Sequence, residues 1–392
     1  MKKQIIIIVI AQLFGTSLWF SANSVAENLI HHWGLRFAEI GLLTTAVQVG
    51  FVAGTLIFAF SGFADKFAAS KIFTICCILG ALFNCLFALY STGLESALLL
   101  RFAVGLSMAG IYPIGMKLVV SWNPQIAGQS LGLLVSMLTL GTALPHGIRM
   151  MEVTLSWQSV ILSSSALALV GALMVAKLGD GPYAKFPSKS TSAVKNILTV
   201  CRNAEFRASA FGYFGHMWEL YAFWTLVPTL LAEIILPSSA HSRHDISGWT
   251  FAVIGIGSLG CIASGAASQK YGQARVAWWA LLTSGSICFV YPLLQFLSSS
   301  WKLVLMFIWG AAVIADSPQF SAMSAKACPP EMVGTALALQ NSFGFLLTIF
   351  SILIVTSIYP FIGNKVSWIL LPGPIFGLLS MRPLFSKNYA TQ

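Results

Sequence analysis

The sequence predicts an all-α membrane protein in which twelve transmembrane helices form two six-helix bundles related by a pseudo-twofold axis. Three observations predict this fold class: the composition, twelve apolar segments of spanning length, and an internal repeat. Of the 392 residues, 57% are hydrophobic and 9% are charged, and the mean hydropathy is +0.81. Soluble domains are about 25% charged. So few charges cannot cover a water-facing surface, which excludes a soluble enzyme, a disordered chain and a nucleic-acid binder.

Twelve apolar segments follow one another along the chain, each close to the roughly 20 residues that cross a bilayer. In the first half they cover residues 4–28, 38–60, 71–92, 97–118, 128–148 and 155–177. In the second half they cover residues 207–231, 247–267, 275–297, 302–323, 333–358 and 366–381. We interpret the first as a retained span, because a secretory signal peptide has an apolar region of only about 7–15 residues.

One long polar stretch divides the chain almost in half. We therefore predict an N-terminal six-helix bundle at residues 1–178, a cytoplasmic linker at 179–206 and a C-terminal six-helix bundle at 207–392. With both termini in the cytoplasm, 16 of the 22 Lys and Arg residues fall on the cytoplasmic side, in agreement with the positive-inside rule. This distribution explains the net charge of +10 without a nucleic-acid partner. It predicts an integral protein in the lipid bilayer of a bacterial-type inner membrane.

The two halves repeat each other. The loop at residues 61–71, between spans 2 and 3, is similar to the loop at 265–275, between spans 8 and 9. Gly105 in span 4 corresponds to Gly310 in span 10, again about 205 residues further along the chain. A nearly constant offset indicates two six-helix halves related by a parallel repeat.

The repeated loop carries the pattern G-x-x-x-D-[RK]-x-G-x-[RK]-[RK]. Asp65, Lys66 and Lys71 match this pattern in the first copy, and Lys270 and Arg275 match it in the second. In this signature, and over essentially its whole length, the chain resembles the major facilitator superfamily of secondary transporters. The resemblance implies that these five residues are gating residues. An acidic side chain at a helix end pairs with basic residues and with the positive end of a helix, and such a latch favours one of two conformations.

Two further stretches carry the same resemblance. Residues 101–105 match the family's R-x-x-x-G pattern in span 4. In span 5, Gly132, Gly141 and Pro145 resemble a pattern of the family's antiporters, with Leu144 where a glycine is expected.

Four ionisable side chains inside the predicted spans are the candidates for proton coupling: Glu219, Asp316, His216 and Arg101. A carboxylate at the bilayer centre costs at least about 2.5–3.5 kcal/mol unless it is paired, hydrated or protonated. The resemblance implies that spans 1, 4, 7 and 10 line a central cavity, and all four residues lie on these spans. The alternative is a structural role, with each carboxylate held by Arg101 or by a backbone group.

Aromatic and polar side chains in the same region suit an organic substrate with a flat or apolar part. The candidate substrate-binding residues are Trp19, Asn23, Gln48, Tyr112, Tyr213, Tyr221 and Gln319. The alternative for the aromatic residues is packing between helices or against lipid.

Residues 255–260 spell G-x-G-x-x-G, which in a different setting indicates a dinucleotide site. Here the pattern lies inside an apolar span without a preceding strand. We interpret it, and the Gly50-x-x-x-Gly54 pair, as small residues that let helices approach closely.

We therefore expect a proton-coupled secondary transporter that moves a small organic molecule by alternating access, with efflux by antiport preferred because of the span 5 pattern. An alternative is proton symport for uptake of an organic anion or a siderophore-like metal chelate, with Arg101, Arg149 or Lys117 as the anion contact. An alternative of another class is a transporter-like ligand sensor. The sequence holds no ATP-binding G-x-x-x-x-G-K-[ST] motif. We expect a monomer that is not an enzyme, with a small-molecule substrate, no cofactor and the proton gradient as its energy source.

Overall fold

The computed structural model describes residues 3–61, 63–123, 127–151, 156–184, 200, 202–236, 243–329 and 333–385. These residues are almost entirely helical, and no strand occurs among them. Their helices are grouped below into spans 1 to 12 in chain order.

Spans 1 to 6 form the N-terminal lobe. Its helices are Lys3–Thr16, Ser21–Ser24, Ala26–Trp33, Phe37–Ser61, Phe63–Lys66, Ala69–Tyr90, Leu94–Met108, Tyr112–Trp122, Ala127–Met151 and Trp157–Leu178. The first three helices make up span 1, which is interrupted after Thr16. Leu94–Met108 and Tyr112–Trp122 together make up span 4, and the four-residue helix Phe63–Lys66 lies in the loop after span 2.

Spans 7 to 12 form the C-terminal lobe. Its α-helices are Ala204–Ile235, Arg243–Tyr271, Gln273–Val290, Ser299–Ala315, Ser317–Lys326, Val333–Ile362, Ser367–Leu370 and Pro372–Ser380. Span 10 is broken at Asp316, between Ser299–Ala315 and Ser317–Lys326, and span 12 comprises the last two helices. Short 3₁₀ helices occupy Tyr291–Leu294, Gly363–Val366 and Arg382–Leu384.

Ten stretches of the described chain are long and apolar enough to cross a membrane, by length and composition. One of them, residues 336–384, contains spans 11 and 12, between which the chain turns back at Gly363–Val366. Span 1 is not among the ten because its first helix has only 14 residues before the interruption. The predicted all-α class of twelve helices in two bundles is confirmed.

Glycines let spans 2 and 4 approach until their backbones touch. A methyl group added at Gly105 would collide with the carbonyl oxygen of Val47, and one at Gly50 would collide with the carbonyl oxygen of Phe102. The interpretation of the Gly50 pair as a close-packing element is therefore confirmed.

Spans 8 and 10 form the corresponding contact in the C-terminal lobe. A methyl group at Gly260 would collide with the carbonyl oxygen of Ala311, and one at Gly310 would collide with that of Val253. The G-x-G-x-x-G stretch is thus part of a helix-packing surface, as predicted.

The two lobes meet along spans 2 and 11 and along spans 5 and 8. The linker side of the molecule is the side on which Leu178 and Ala204 lie, and the opposite side is called the far side. On the far side the rings of Phe37 and Tyr359 lie 5.2 Å apart. Nearer the linker side, the hydroxyls of Thr55 and Ser342 lie 3.0 Å apart. The interface between spans 2 and 11 is therefore closed both on the far side and nearer the linker side.

We predict that Gly310→Ala lowers the stability of the C-terminal lobe, because the added methyl forces spans 8 and 10 apart. Overpacking of this kind costs about 1–3 kcal/mol. The measurement is the midpoint of thermal unfolding of the purified protein in detergent. The matched control is Gly265→Ala, where an added methyl has no atom within 4 Å. Equal midpoints for the two variants would contradict the packing role of Gly310.

Candidate functional site

An aromatic cluster fills the centre of the interface between the lobes. Trp19 of span 1 and Phe51 of span 2 come from the N-terminal lobe, and Tyr221 of span 7 and Phe345 of span 11 come from the C-terminal lobe. The ring of Trp19 lies 5.3 Å from that of Phe345, nearly parallel at 24°, and 5.5 Å from that of Tyr221. Phe51 and Phe345 are 4.3 Å apart. These contacts join the lobes at their centre, so they must change when the lobes move apart.

The break in span 1 places Trp19 at this interface, and Arg101 of span 4 holds the break. Its Nη1 donates to the carbonyl oxygen of Leu18 at 3.2 Å, and its Nη2 donates to that of Trp19. Nη1 also donates to Ser21 Oγ at 3.1 Å and to Asn84 Oδ1 at 3.0 Å. A broken helix frees carbonyl groups that water cannot reach inside a membrane. Arg101 supplies the missing donors.

Arg101 is fully buried, and within the described ranges no carboxylate lies at ion-pair distance from it. Its four hydrogen bonds go to spans 1 and 3 of its own lobe, so Arg101 joins helices of that lobe.

A small cavity of about 20 Å³ lies next to the aromatic cluster. The residues that line it are Tyr112, Val135, Leu138, Tyr213, Met217, Leu220, Tyr221, Ile314, Ser317 and Phe345. They come from spans 4, 5, 7, 10 and 11, hence from both lobes, and none of these lining residues is charged. Three of the predicted substrate-binding residues, Tyr112, Tyr213 and Tyr221, meet here.

His216 and Asp316 form a buried pair directly behind the cavity wall. Nδ1 of His216 lies 2.8 Å from Oδ1 of Asp316, and both side chains are 1% exposed. In the described chain, none of the side-chain nitrogen and oxygen atoms of His216 and Asp316 has a hydrogen-bond partner. Asp316 precedes Ser317 at the break in span 10, and the His216 ring lies 5.8 Å from the ring of Tyr213. The structure brings together these two predicted coupling residues, beside the cavity.

Glu219, one helical turn from His216, lies in the interior of the C-terminal lobe. Its Oε1 accepts hydrogen bonds from Trp309 Nε1 at 2.7 Å and from Cys288 Sγ at 3.2 Å. Its Oε2 accepts one from Ser284 Oγ at 2.9 Å. These partners belong to spans 9 and 10, so Glu219 ties three helices of one lobe together and does not line the cavity.

The remaining predicted substrate contacts have partners within their own lobes. Asn23 Nδ2 donates to Thr44 Oγ1 at 2.8 Å, and Gln319 Nε2 donates to Ser264 Oγ at 3.4 Å. Gln48 Oε1 accepts from Trp19 Nε1 at 3.3 Å and thereby orients the Trp19 ring.

The predicted gating residues lie on the linker side without a cross-lobe contact among the described side chains. Lys66 Nζ donates to the Ser61 carbonyl at 3.0 Å, and Lys270 Nζ lies 5.1 Å from the ring of Tyr271. Lys71 and Arg275 are exposed. The side chain of Asp65 lies outside the described residues, so its role in a latch stays a prediction.

Asp180 is a polar residue of this region that the sequence did not single out. Its carboxylate accepts from the backbone N–H groups of Ser70 at 2.7 Å and Ala69 at 3.1 Å, at the first turn of span 3. An acidic group at a helix N-terminus is stabilising there. The cap comes from 110 residues away along the chain, so no local pattern could have revealed it.

The comparisons with known proteins agree with this geometry. The profile of the Major Facilitator Superfamily matches residues 7–352. The chain belongs to the major facilitator superfamily. The resemblance seen in the loop motifs is thereby confirmed.

Two named transporters are similar to parts of the chain. One is NiaP of Bacillus subtilis (strain 168), named as a niacin/nicotinamide transporter, which is 25% identical over 43% of this chain and 42% of that protein. The other is the 4-hydroxybenzoate transporter PcaK of Pseudomonas aeruginosa PAO1, 28% identical over 38% of this chain and 34% of that protein. The matches thus span less than half of each relative. Both relatives are transporters rather than enzymes, as predicted for this chain.

A solved structure shows the same fold over nearly the whole chain. The D-xylose-proton symporter superposes with a TM-score of 0.75 at 13% identity, over 97% of this chain and 96% of that one. This likeness concerns the fold.

We predict that Arg101→Met destabilises the N-terminal lobe, because the carbonyls of Leu18 and Trp19 lose their donor. Each buried acceptor left without a donor costs about 1–3 kcal/mol. The measurement is thermal unfolding together with the yield of monodisperse protein on size exclusion. Arg275→Met, at an exposed position, is the matched control. An Arg101→Met protein as stable as this control would show that Arg101 does not hold the break.

Proposed function

We propose that this chain is a proton-coupled secondary transporter of a small organic molecule, in which His216 and Asp316 couple protonation to alternating access. The observation that carries the proposal is the position of this pair: buried, next to the central cavity, at the break in span 10. We place the protein in a bacterial-type inner membrane with both termini in the cytoplasm. We propose that it works as a monomer without a cofactor, driven by the proton gradient.

Coupling is supported by the free energy of burying a charge. An unpaired charge inside a membrane protein is costly, so a buried carboxylate stays charged only with a partner and otherwise takes up a proton. Asp316 has His216 as this partner, at 2.8 Å. A proton gained or lost by the pair changes the attraction between spans 7 and 10.

The break in span 10 turns this change into movement. Asp316 lies between the helices Ser299–Ala315 and Ser317–Lys326. Ile314 and Ser317, on either side of it, line the cavity. A change in the His216–Asp316 attraction therefore acts on two residues of the cavity wall, which is what coupling of protonation to substrate binding requires.

Glu219 was a second candidate for the coupling acid, and its surroundings favour Asp316 instead. All three partners of Glu219 belong to the C-terminal lobe, and none lines the cavity. We propose that Glu219 stabilises the arrangement of spans 7, 9 and 10.

The substrate is proposed to be a small organic molecule. The relatives NiaP and PcaK are named for niacin/nicotinamide and 4-hydroxybenzoate, which are molecules of this size. For direction we keep efflux by antiport, on the span 5 pattern. Uptake of an organic anion has less support, because Arg101 is occupied by backbone carbonyls and Arg149 Nη2 donates to Asn28 at 2.9 Å.

We predict that Asp316→Asn abolishes proton-driven accumulation of substrate while energy-independent exchange continues, because the variant cannot exchange a proton but still forms the cavity. His216→Gln is expected to behave in the same way. The measurement is substrate flux in proteoliposomes with and without an imposed pH gradient, where the accumulation ratio is expected to fall to about 1.

Glu219→Gln is the matched carboxylate-to-amide control, and it is expected to retain gradient-driven accumulation. Driven accumulation by Asp316→Asn would remove Asp316 as the coupling acid. Loss of accumulation in Glu219→Gln alone would move that role to Glu219. Ligand binding without any flux in the wild-type protein would favour the sensor alternative.

A further inference from the structure

We infer that the substrate is an uncharged molecule with a single flat aromatic ring, which binds between Trp19 and Phe345 with its polar group on the tyrosine hydroxyls of the cavity. This inference rests on the proposed function and names the substrate class of the same site. Its evidence is the geometry of the aromatic cluster and of the cavity lining.

The central site is filled by the protein's own rings. Trp19, Phe51 and Tyr221 are at most 2% exposed, as is Phe345, and the cavity of about 20 Å³ has room for a water-sized group only. A substrate therefore enters only when the lobes separate and a contact between rings is replaced. The contact that crosses between lobes with nearly parallel rings is the one between Trp19 and Phe345, at 5.3 Å and 24°.

A flat ring is the shape that replaces this contact at the lowest cost. Each face of an inserted ring lies about 3.5–4 Å from its neighbour, so Trp19 and Phe345 need to separate to about 7–8 Å. The inserted ring then stacks on one residue of each lobe and restores the interaction that the separation removed. A saturated ring is thicker and lacks a π-face, so it restores less of the lost stacking interaction.

The orientation of the Trp19 ring is fixed before the substrate arrives. Its Nε1 donates to Gln48 Oε1 at 3.3 Å, and its backbone carbonyl is held by Arg101. A rigid aromatic surface loses little conformational entropy on binding, which favours affinity.

Hydroxyl groups provide the polar contacts of the site. No hydrogen bond joins the hydroxyl of Tyr112, Tyr213 or Tyr221 to another group of the described chain, although all three side chains line the cavity with Ser317. Phenol and serine hydroxyls both donate and accept. They suit a neutral amide, hydroxyl or carbonyl group on the ring.

The same lining disfavours a charged substrate. None of the residues that line the cavity is basic. The buried Arg101, which contacts the break in span 1, donates to carbonyl groups. A carboxylate placed here would have hydroxyl donors but no basic side chain among the residues that line the cavity. Burying such a charge costs more than burying an amide of the same size.

The test compares three probes that differ in one property each: benzamide, benzoate and cyclohexanecarboxamide. Binding to the full-length protein in nanodiscs is measured by isothermal titration calorimetry. We expect benzamide to bind about tenfold more tightly than cyclohexanecarboxamide, because its ring makes an aromatic contact with each lobe. We expect benzoate to bind at least about tenfold more weakly than benzamide.

Variants of the two stacking residues test where the probes bind. In Trp19→Leu and Phe345→Leu, the preference for benzamide over cyclohexanecarboxamide is expected to fall below about threefold. Phe289→Leu, at a side chain 51% exposed outside the cluster, is the matched control and keeps the preference. The comparison of probes on the wild-type protein stands even if a core variant does not fold.

Equal binding of benzamide and cyclohexanecarboxamide would overturn the aromatic part of the inference, and tighter binding of benzoate would overturn the neutral part. These results are distinguishable from failure of the proposed function. Benzamide that binds as expected but moves no protons in proteoliposomes would contradict proton coupling and keep the substrate class. Proton movement driven by a saturated substrate, without benzamide binding, would support proton coupling and contradict the substrate class.

Discussion

The rest of the site depends on one interaction, the hydrogen bonds from the Arg101 guanidinium to the carbonyl groups of the broken first span. Without a donor there, residues 17–20 have no low-energy way to leave the helix inside a membrane. The break turns Trp19 towards the other lobe. The aromatic cluster, the cavity beside it and the contact between lobes at the centre all follow from that orientation.

The C-terminal lobe holds its core with a buried carboxyl group. Glu219 joins spans 7, 9 and 10 through Trp309, Ser284 and Cys288, and these spans correspond to spans 1, 3 and 4, which Arg101 joins. Each lobe thus contains one buried ionisable residue that joins three helices to one another. Lobes held together internally in this way are what the proposed alternating access requires.

The His216–Asp316 pair differs from both of these networks. Arg101 donates four described hydrogen bonds and Glu219 accepts three. The polar side-chain atoms of His216 and Asp316 have no hydrogen-bond partner among the described groups. The pair also lies beside the cavity rather than inside a lobe. A group with incomplete hydrogen bonding next to a binding site is suited to change its protonation state there.

Much of the fold could be predicted from the sequence, because hydropathy and the repeat are local or periodic signals. The twelve spans, the division into halves and the glycine surfaces around Gly50 and Gly257 all followed from such patterns. The direction in which a side chain points from its helix could not be predicted from such patterns. Glu219 and Asp316 both lie deep in predicted spans, and only the three-dimensional packing shows that Glu219 points into its own lobe.

The same limit applies to residues that meet across the interface. Phe51 and Phe345 were not among the predicted site residues, since each is one apolar residue in an apolar helix. Their role arises from contact with Trp19, which lies on a different span. The cap that Asp180 provides for span 3 is equally non-local.

The central claim is that the lobes part around the aromatic cluster, and a distance measurement across the far side tests it most directly. Spin labels at Phe37 and Tyr359, whose rings are 5.2 Å apart here, report the separation of the lobes after the native cysteines are replaced. Labels at Glu233 and Tyr359, both in the C-terminal lobe and joined by a 2.6 Å hydrogen bond, serve as the internal control. The account predicts two distance populations for the first pair, whose ratio changes with pH and with benzamide, and one unchanged population for the control. A single short distance between Phe37 and Tyr359 under all conditions would contradict it.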